Sequence, residues 1–521
     1  MKEKKRGFLG SIEKVGNALP HPAMIFVALC VIIAVLSQIF AKMGVSVNYT
    51  ALDRTTNEIT DMTASIVSLL SPEGIRYMFT SAVTNFTGFA PLGTVLVAII
   101  GVGVAEGTGL IGALLTKLVT STPKKLITVV VVFAGVMSSI ASDAGYVVLI
   151  PLGAVIFMSF GRHPLAGIAA AFAGVSGGFS ANLMVGSTDA LLAGITTEAA
   201  KLSATPMEVG VSDNWFFLIA STFLITIIGT IVTEKIVEPR LGEYKGNVTE
   251  KLTSLTDEQR RGLKFAGIGL VLTIIAFALL IGGKGEFDPI TKEVIKAPGI
   301  LRNQTNGEIL TSPFMSSIVV VISLLFLVPG IAYGIGAKVI KKSDDAINLM
   351  GKSMSTMGGY IILVFFAAQF VAYFSYTNMG TVIAVKGADF LQNIGLKGIP
   401  LILLFILVSA FINIFMGSAS AKWAIMAPIF VPMLMQMGYS PALTQMAYRI
   451  GDSTTNLISP LMSYFALIVA FSQKYDEEAG AGTIISTMLP YSIALLIGWS
   501  LLLVVWYVLG LPLGPGVGIA I

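Results

Sequence analysis

Charged side chains are scarce in this chain. Asp, Glu, Lys and Arg make up 12% of its 521 residues, whereas about 25% is usual for a soluble domain. Such sparse charge cannot cover the surface of a soluble protein of this size. Hydrophobic residues reach 55% instead, and they lie in long runs separated by short charged loops. The composition therefore excludes a soluble enzyme and predicts a polytopic integral membrane protein.

Several catalytic and metal-binding motifs are also missing. The single cysteine, Cys30, cannot form an internal disulfide, and two histidines are too few for a histidine-rich metal site. The chain has no Gly-x-x-x-x-Gly-Lys-Ser/Thr loop, no His-Glu-x-x-His motif and no apparent nucleophile–base pair. Its basic residues lie in loops between apolar runs, as membrane topology requires. We expect no enzymatic activity, no cofactor and no nucleic-acid partner.

Apolar runs that can cross about 30 Å of hydrocarbon as helices recur along the chain. Lipid offers the backbone no hydrogen-bond partner, so each run must be helical where lipid touches it. We expect residues 1–521 to form one membrane body without a separate soluble domain. The predicted runs are 22–41, 92–116, 126–142, 165–183, 215–233, 265–283, 314–337, 359–376, 398–421, 456–472 and 488–510.

Loop charge predicts the topology. Basic residues cluster at 2–6, 117–125 and 234–264, and the positive-inside rule places these segments in the cytoplasm. Segments 43–76 and 284–313 show no such excess, so we expect them outside. The prediction is a multi-pass protein of the inner membrane with a cytoplasmic N-terminus and a cytoplasmic connector at about 234–264.

Four proline and glycine positions recur after a displacement of 277 residues. The first copy, about 126–195, starts at a cytoplasmic loop and the second, about 398–472, starts outside, so the copies enter from opposite faces. Inverted repeats with segments broken by Gly and Pro indicate the binding site of a secondary transporter. The recurring residues are Pro151, Gly161, Pro164 and Gly174 in the first copy and Pro428, Gly438, Pro441 and Gly451 in the second.

Each copy also contains a short polar break that is typical of a re-entrant hairpin. The break is 138–143 in the first copy and 417–422 in the second. The apolar runs that follow, 144–160 and 423–437, are too short for full spans. We therefore expect two hairpins whose tips meet near the midplane, where non-helical backbone is tolerated only if it lines a cavity.

Ionisable residues within apolar segments are costly and usually face the protein interior. Asp189 lies in such a segment without a nearby cation in sequence, and it is either a proton or cation site or a hairpin-loop cap. Arg449 and Asp452 are three residues apart, which places both on one face of a helix. They are either a structural ion pair or a site where Arg449 attracts an anionic substrate and Asp452 titrates or restrains it.

Small polar residues surround the second hairpin tip. Ser418, Ser420 and Trp423 combine hydroxyls with an indole, a set that suits an aromatic, polar ligand, and packing is the alternative explanation. Lys422, beside Trp423, either attracts an anionic substrate or extends to water.

Asparagines lie in or beside both broken regions, at Asn182, Asn413 and Asn456. Their carbonyl oxygens are suitable ligands for Na⁺, and hydrogen bonding between helices explains them equally well. They join Asp189 and Asp452 as candidate ion-coupling residues.

Five stretches of the chain resemble the AbgT family, whose members are aminobenzoyl-glutamate transporters and relatives that expel sulfonamide antimetabolites. The similarity runs from about residue 12 to the end of the chain. The stretches are NFTGFAPLG (85–93), GRHPLAG (161–167), APIFVPM (427–433), YRIGDS (448–453) and GLPLGPG (510–516).

The resemblance implies an all-α, inverted-repeat, elevator-type ion-transporter fold. It implies about nine transmembrane helices and two re-entrant hairpins per chain, assembled as a homodimer. It implies coupling to H⁺ or Na⁺, for which our candidate residues, and candidate Na⁺ ligands, are Asp189, Asn413 and Asp452. The positions that it implies for the substrate region are Asp189, Ser420, Trp423, Arg449, Asp452 and Pro460.

We therefore expect an ion-coupled secondary transporter, of the antiporter type, for small aromatic anions. Its substrates would be aminobenzoyl-glutamate-like folate fragments, sulfonamide antimetabolites or both, with efflux slightly favoured over uptake. The alternatives are a dicarboxylate carrier of the same superfamily and, less favoured, a passive channel. A channel needs no titratable coupling site, so loss of transport on Asp189→Asn would weigh against it.

Overall fold

The computed structural model describes residues 22–52, 59–139, 145–244, 255–287, 294–309, 312–355, 357–460, 462 and 464–521. The predicted cytoplasmic N-terminal segment, most of the first hairpin tip and the middle of the 234–264 connector lie outside these residues. The N-terminal orientation therefore stays a prediction.

The helices and strands follow one another with short connections. The first half of the chain contains α1 (Pro22–Lys42), β1 (Ser46–Leu52), β2 (Ile59–Ser65), α2 (Pro72–Thr80), α3 (Ala82–Thr87), α4 (Ala90–Gly107), α5 (Leu110–Thr120), α6 (Ile127–Ser138), α7 (Ile150–Ser159), α8 (Pro164–Phe172), α9 (Ser187–Ala200), α10 (Trp215–Val232) and α11 (Glu238–Leu241). A 3₁₀ turn, Lys124–Leu126, precedes α6, and π-helical turns at Gly145–Leu149, Ala173–Gly177 and Thr233–Val237 extend α7, α8 and α10.

The second half begins with a long helix whose first turns are charged. It contains α12 (Asp257–Ile281), β3 (Glu286–Phe287), β4 (Val294–Lys296), α13 (Pro313–Ser316), α14 (Ile318–Gly336), α15 (Ser343–Ser355), α16 (Gly358–Tyr376), α17 (Met379–Asn393), α18 (Gly398–Asn413), α19 (Ala419–Gln436), α20 (Pro441–Asn456), α21 (Phe465–Gln473) and α22 (Ala481–Val508). The two small antiparallel sheets, β1–β2 and β3–β4, lie in the two segments predicted to be outside.

Six helices of the described residues are long and apolar enough to cross a membrane, or seven if one bent pair counts as a span. In that pair α4 and α5 meet at 62°, so the predicted run 92–116 is two helices. Gly109, at the bend, has φ +87°, a conformation that favours glycine. The six are α1, α10 with α11, α12, α14, α16 and α22.

Shorter helices account for the rest of the membrane body. The pairs α8–α9 and α20–α21 are spans broken at 178–186 and 457–464, and α6–α7 and α18–α19 are hairpins. With the six long spans and the bent pair α4–α5, this grouping gives nine spans and two hairpins among the described residues, the number that the family resemblance implies. The eleven apolar runs of the sequence exceed nine because some are hairpin arms or halves of broken helices. The hairpin arms are short because the chain reverses: α6 has 12 residues, about 18 Å of helix.

The two hairpin regions share one arrangement. In the first, α6 and α8 run parallel, as two contacts show. Arg162 donates to Thr128 where both helices start. Ser139 donates to the Ala181 carbonyl near their ends. In the second, α18 and α20 are likewise parallel, and Asn413 meets Asp452. The intervening helix is antiparallel to both in each case.

The recurring residues have matching roles. Pro164 and Pro441 begin α8 and α20, where a missing N–H costs nothing. Gly161 and Gly438 have φ +72° and +86° in the preceding turns. A Cβ on Gly174 would lie 2.2 Å from the Val132 carbonyl oxygen, and one on Gly451 would lie 2.5 Å from the Ile406 carbonyl oxygen, the backbone of the parallel helix in both cases. Glycine is therefore required for the close crossing.

The turn before α8, at 161–163, and the turn before α20, at 438–440, lie at opposite ends of the α10–α11 helix. Arg162, in the first turn, donates from Nε to Glu238 Oε1 at 2.7 Å, and Glu238 starts α11. Beside the second turn, the Ala442 carbonyl accepts from Asn214 at 2.9 Å, just before α10. The helix between these contacts has 27 residues, about 40 Å. The two copies thus approach the centre of the protein from opposite sides.

Different segments of the chain form the hydrogen bonds that hold the two turns in place. The connector holds the first turn through Arg162 and Glu238. The C-terminal segment 509–521 holds the second: the Ser440 N–H donates to the Ile519 carbonyl at 3.0 Å, and the Ile521 N–H donates to the Gly438 carbonyl at 3.1 Å.

Candidate substrate and ion site

Helix α20 is the most polar of the central helices, yet all sixteen of its residues are buried. Burial of a charged or polar group is costly without a partner, so each such side chain must be matched. The partners come from the hairpin α18–α19 and from α9, which begins directly after the broken segment 178–186. These elements together form the candidate site.

The first buried ion pair joins the two copies. Arg449, on α20, donates from a terminal guanidinium nitrogen to Asp189 Oδ1 at 2.5 Å, and each side chain is only 1% exposed. The other carboxylate oxygen of Asp189 accepts the Gly186 N–H at 2.7 Å and a weaker bond from Asn182 at 3.4 Å. Asp189 therefore both caps α9 and neutralises Arg449.

The second buried ion pair lies within the second copy. Lys422 Nζ donates to Asp452 Oδ1 at 2.5 Å and also to Asn413 Oδ1, and the lysine side chain is 0% exposed. Asn413 donates in turn to Asn456 Oδ1 at 2.8 Å. The charge of Lys422 is thus fully buried and held by two oxygen atoms at the base of the hairpin tip.

Two alternatives raised by the sequence are wrong. Arg449 and Asp452 share a helix face but do not pair with each other, because each has its partner on another element: Asp189 for Arg449 and Lys422 for Asp452. Lys422 does not extend to water, since its whole side chain is buried. The cation that the sequence near Asp189 lacks is supplied by Arg449, 260 positions away.

Trp423 is part of a polar network beneath the hairpin. Its indole N–H donates to Thr196 Oγ1 at 2.9 Å, and Thr196 donates to Gln445 at 2.5 Å. The indole stacks on the Tyr448 ring at 4.4 Å between centroids. Trp423 is fully buried, so this position is held by packing and hydrogen bonds rather than open to the cavity described next.

A cavity of about 350 Å³ lies between the two hairpin regions and the spans α4 and α16. The first residues of α9 and the residues around the start of α19 form part of its wall. Among the predicted site residues, Ser418, Ser420 and Asn456 line it. Asp189, Arg449, Asp452, Asn413, Asn182 and Trp423 are buried behind this wall, and Pro460 is half-buried in the second break.

Several lining residues were not singled out from the sequence. Tyr146 and Tyr464 stack at 4.6 Å with an interplanar angle of 10°, one from each copy. Thr188 contributes a hydroxyl and Tyr360 a ring from the opposite wall. Tyr146 lies just after the predicted break 138–143, but Tyr464 lies inside the predicted apolar run 456–472, and no spacing rule pairs residues so far apart.

Buried charge at broken helices, next to a cavity inside a polytopic helical body, defines a membrane transport protein. Comparisons with known proteins agree. The family model described as the AbgT putative transporter family matches residues 7–521. The chain is 42% identical to the p-aminobenzoyl-glutamate transport protein of Escherichia coli (strain K12), over 98% of this chain and 96% of that protein.

Two solved structures are also similar over almost the whole chain. The MtrF structure from Neisseria gonorrhoeae, described as illuminating a class of antimetabolite efflux pumps, is 49% identical, with a TM-score of 0.88 over 98% of this chain and 100% of that chain. The YdaH transporter of Alcanivorax borkumensis is 44% identical, with a TM-score of 0.86 over 95% and 100%.

This chain belongs to the AbgT putative transporter family. It is a multi-pass membrane transporter and not an enzyme, since its relatives are transport proteins. The fold class and family predicted from the sequence are confirmed.

Proposed function

We propose that this chain is an ion-coupled secondary transporter of aminobenzoyl-glutamate-like folate fragments, sulfonamide antimetabolites or both, with efflux favoured over uptake. The coupling ion is H⁺ or Na⁺. The observation that carries the proposal is the cavity in which two helix N-termini and a stacked tyrosine pair face the same space.

The cavity suits both ends of an aromatic anion. Helices α9 and α19 start at its wall, at Ser187 and Ala419. The N-terminus of a helix carries partial positive charge and free N–H groups, which favour a carboxylate or an ionised sulfonamide. The Tyr146–Tyr464 pair offers a flat aromatic surface against which an aminobenzoyl ring packs.

The proposed coupling residues are Asp189, Asn182, Asn413, Asp452 and Asn456. Asn456 supports a link between ion and substrate, because it lines the cavity and also accepts a hydrogen bond from Asn413. Asp189 lies in the first turn of α9, whose N-terminus faces the cavity. A change of charge at either ion pair therefore alters the field at the substrate.

The family relatives support the substrate class, because one is a p-aminobenzoyl-glutamate transport protein and another belongs to a class of antimetabolite efflux pumps. We propose further that the chain works as a homodimer in the inner membrane with a cytoplasmic N-terminus. A dicarboxylate carrier is the second candidate, favoured by the two helix N-termini, but it would leave the stacked tyrosines without a role.

Proteoliposomes test this proposal. Radiolabelled aminobenzoyl-glutamate and a radiolabelled sulfonamide are offered under a pH gradient or a Na⁺ gradient, imposed one at a time. We expect one gradient to drive accumulation and Asp189→Asn to abolish it. Glu198→Gln, an acid on the same helix with an exposed partner in Lys201, is the matched control and should transport normally.

Gel filtration of Asp189→Asn separates loss of transport from loss of fold. Passive equilibration without a gradient requirement would support the channel instead. Accumulation of a simple dicarboxylate but of neither aromatic compound would support the dicarboxylate carrier. If no compound moves under any gradient, the substrate assignment is wrong.

A further inference from the structure

We propose that the Lys422 ammonium occupies, as a tethered cation, an oxygen site that would otherwise accept Na⁺, so that this site works without Na⁺. The inference rests on the proposed function and deepens it by stating which candidate coupling ion, Na⁺, the Asn413–Asp452 oxygens do not bind. It makes Lys422 a specificity-determining residue for the ion and not for the substrate.

The oxygens around Lys422 Nζ are those that a hard cation selects. One is the amide oxygen of Asn413 and the other is carboxylate Oδ1 of Asp452 at 2.5 Å. Asn413 is the last residue of α18, and Asn456, its hydrogen-bond partner, is the last residue of α20. The C-terminal ends of helices carry partial negative charge, so two helix ends attract a positive charge to this point.

The amide of Asn413 is held in one orientation. Its Nδ2 lies 2.7 Å from the Asp452 carbonyl oxygen, 2.9 Å from Thr455 Oγ1 and 2.8 Å from Asn456 Oδ1. The two carbonyl oxygens can only accept, so the amide nitrogen must face them and the amide oxygen must face Lys422. The oxygen site is therefore built by the second copy and does not depend on the lysine for its shape.

The charges around the site balance with Lys422 present. Asp452 is the carboxylate that pairs with it, and the guanidinium of Arg449, one turn earlier, is taken by Asp189. Tyr448 lies alongside, with its ring centroid 5.5 Å from Nζ and its hydroxyl 3.5 Å from Asp452 Oδ1. A Na⁺ ion entering this cluster would add an unpaired buried charge next to an ammonium, which is strongly unfavourable.

One acceptor of the cluster remains open. Asp452 Oδ2 is buried and has no hydrogen-bond partner among the described residues. This oxygen is available to a metal ion once the ammonium is removed, so the site excludes Na⁺ only for as long as Lys422 is in place.

Removal of the lysine converts the site. The unchanged chain, Lys422→Ala and the control Lys201→Ala, whose lysine is exposed in its pair with Glu198, are purified in detergent. Their Tm values are measured in NaCl, KCl and choline chloride at equal ionic strength, without substrate. We expect Lys422→Ala to show a Tm about 2–4 °C higher in NaCl than in KCl. The unchanged chain and Lys201→Ala should show equal Tm values in all three salts.

A second variant identifies the oxygens. Lys422→Ala combined with Asp452→Asn removes the carboxylate, and the Na⁺-dependent rise in Tm should then disappear. A higher Tm in NaCl for the unchanged chain overturns the proposal, whether or not any variant folds. So does a folded Lys422→Ala without a response to Na⁺. Because no substrate is present, failure of the transport assay and failure of this one are distinguishable.

Discussion

Two ion pairs are buried at the centre of the protein, Arg449 with Asp189 and Lys422 with Asp452. All four side chains are at most 1% exposed. A buried pair gains little over an apolar pair of the same shape, but the loss of one partner leaves an unmatched charge. Each pair therefore has its largest effect when a single member is changed.

Arg449→Met should destabilise the protein by about 3–5 kcal/mol, because Asp189 is then a buried charge without its partner. The double variant Arg449→Met, Asp189→Asn should recover most of this loss, since the introduced asparagine would keep an acceptor for the Gly186 N–H. Denaturant unfolding in detergent measures both. Lys201→Ala, which removes an exposed lysine from its pair with Glu198, should change stability by less than about 1 kcal/mol. Equal losses in the single and double variants would contradict this account.

A pH-sensitive residue lies outside the spans, in the loop before α10. Burial raises the pKa of Asp213 from 3.8 to about 6, although the Gly210 N–H, 2.8 Å from Oδ2, opposes the rise. The folded protein therefore binds this proton more tightly than the unfolded chain does. The stabilising contribution is complete below pH 3.8 and is lost as pH rises through about 6.

Asp213→Asn should remove this pH dependence, because asparagine stays neutral and still accepts from Gly210. The measurement is the Tm at pH 5 and at pH 7.5 for both chains. The unchanged chain should lose more Tm on going to pH 7.5 than the variant does. An identical loss in both chains would assign the pH dependence to other groups.

The sequence predicts some residues of the site better than others. The cost of burial alone singles out Asp189, Arg449 and Asp452. Their partners cannot be read from spacing, because Asp189 and Arg449 meet only where two copies cross, 260 positions apart. For the same reason the sequence does not exclude an extension of Lys422 to water: its partner Asp452 lies 30 positions away on α20 and buries it completely.

At the scale of single elements, the repeated glycines determine how closely helices cross. Gly174 of the π-helical turn after α8 touches the backbone of α6, and Gly451 of α20 touches that of α18. Gly174 faces another glycine, Gly135, whereas Gly451 faces the small residue Ser409. Local rules predict the turns, the proline starts and the breaks, whereas the choice of which helices cross depends on the whole packing.

Gly174→Ala and Gly451→Ala should each lower stability by about 1–3 kcal/mol, since the new methyl overlaps a carbonyl oxygen of the neighbouring helix. Gly267→Ala is the control. Gly267 lies on the exposed face of α12, and a Cβ added there would have no atom within 4 Å among the described residues. The yield of monodisperse protein and its Tm report the effect. A normal Tm for both crossing variants would show that the helices can separate without cost.

At the scale of the whole molecule, the two copies start from opposite sides. Lys124 precedes the first hairpin and Lys397 the second, and both are exposed. The lysines can be replaced by cysteine in a Cys30→Ser background, which has no other thiol. In intact cells a membrane-impermeant maleimide should label Lys397→Cys at once and Lys124→Cys only after permeabilisation. Labelling of both from one side would contradict the inverted arrangement.

The unlike fastening of the two turns has an energetic consequence. If two inverted copies were identical in every contact, exchanging their conformations would yield inward-open and outward-open states of equal free energy. Here one turn is held by the Arg162–Glu238 ion pair and the other by backbone hydrogen bonds from the last residues of the chain. For the proposed carrier, these contacts make the free energies of the two states unequal, so its resting orientation depends on segments that do not line the cavity.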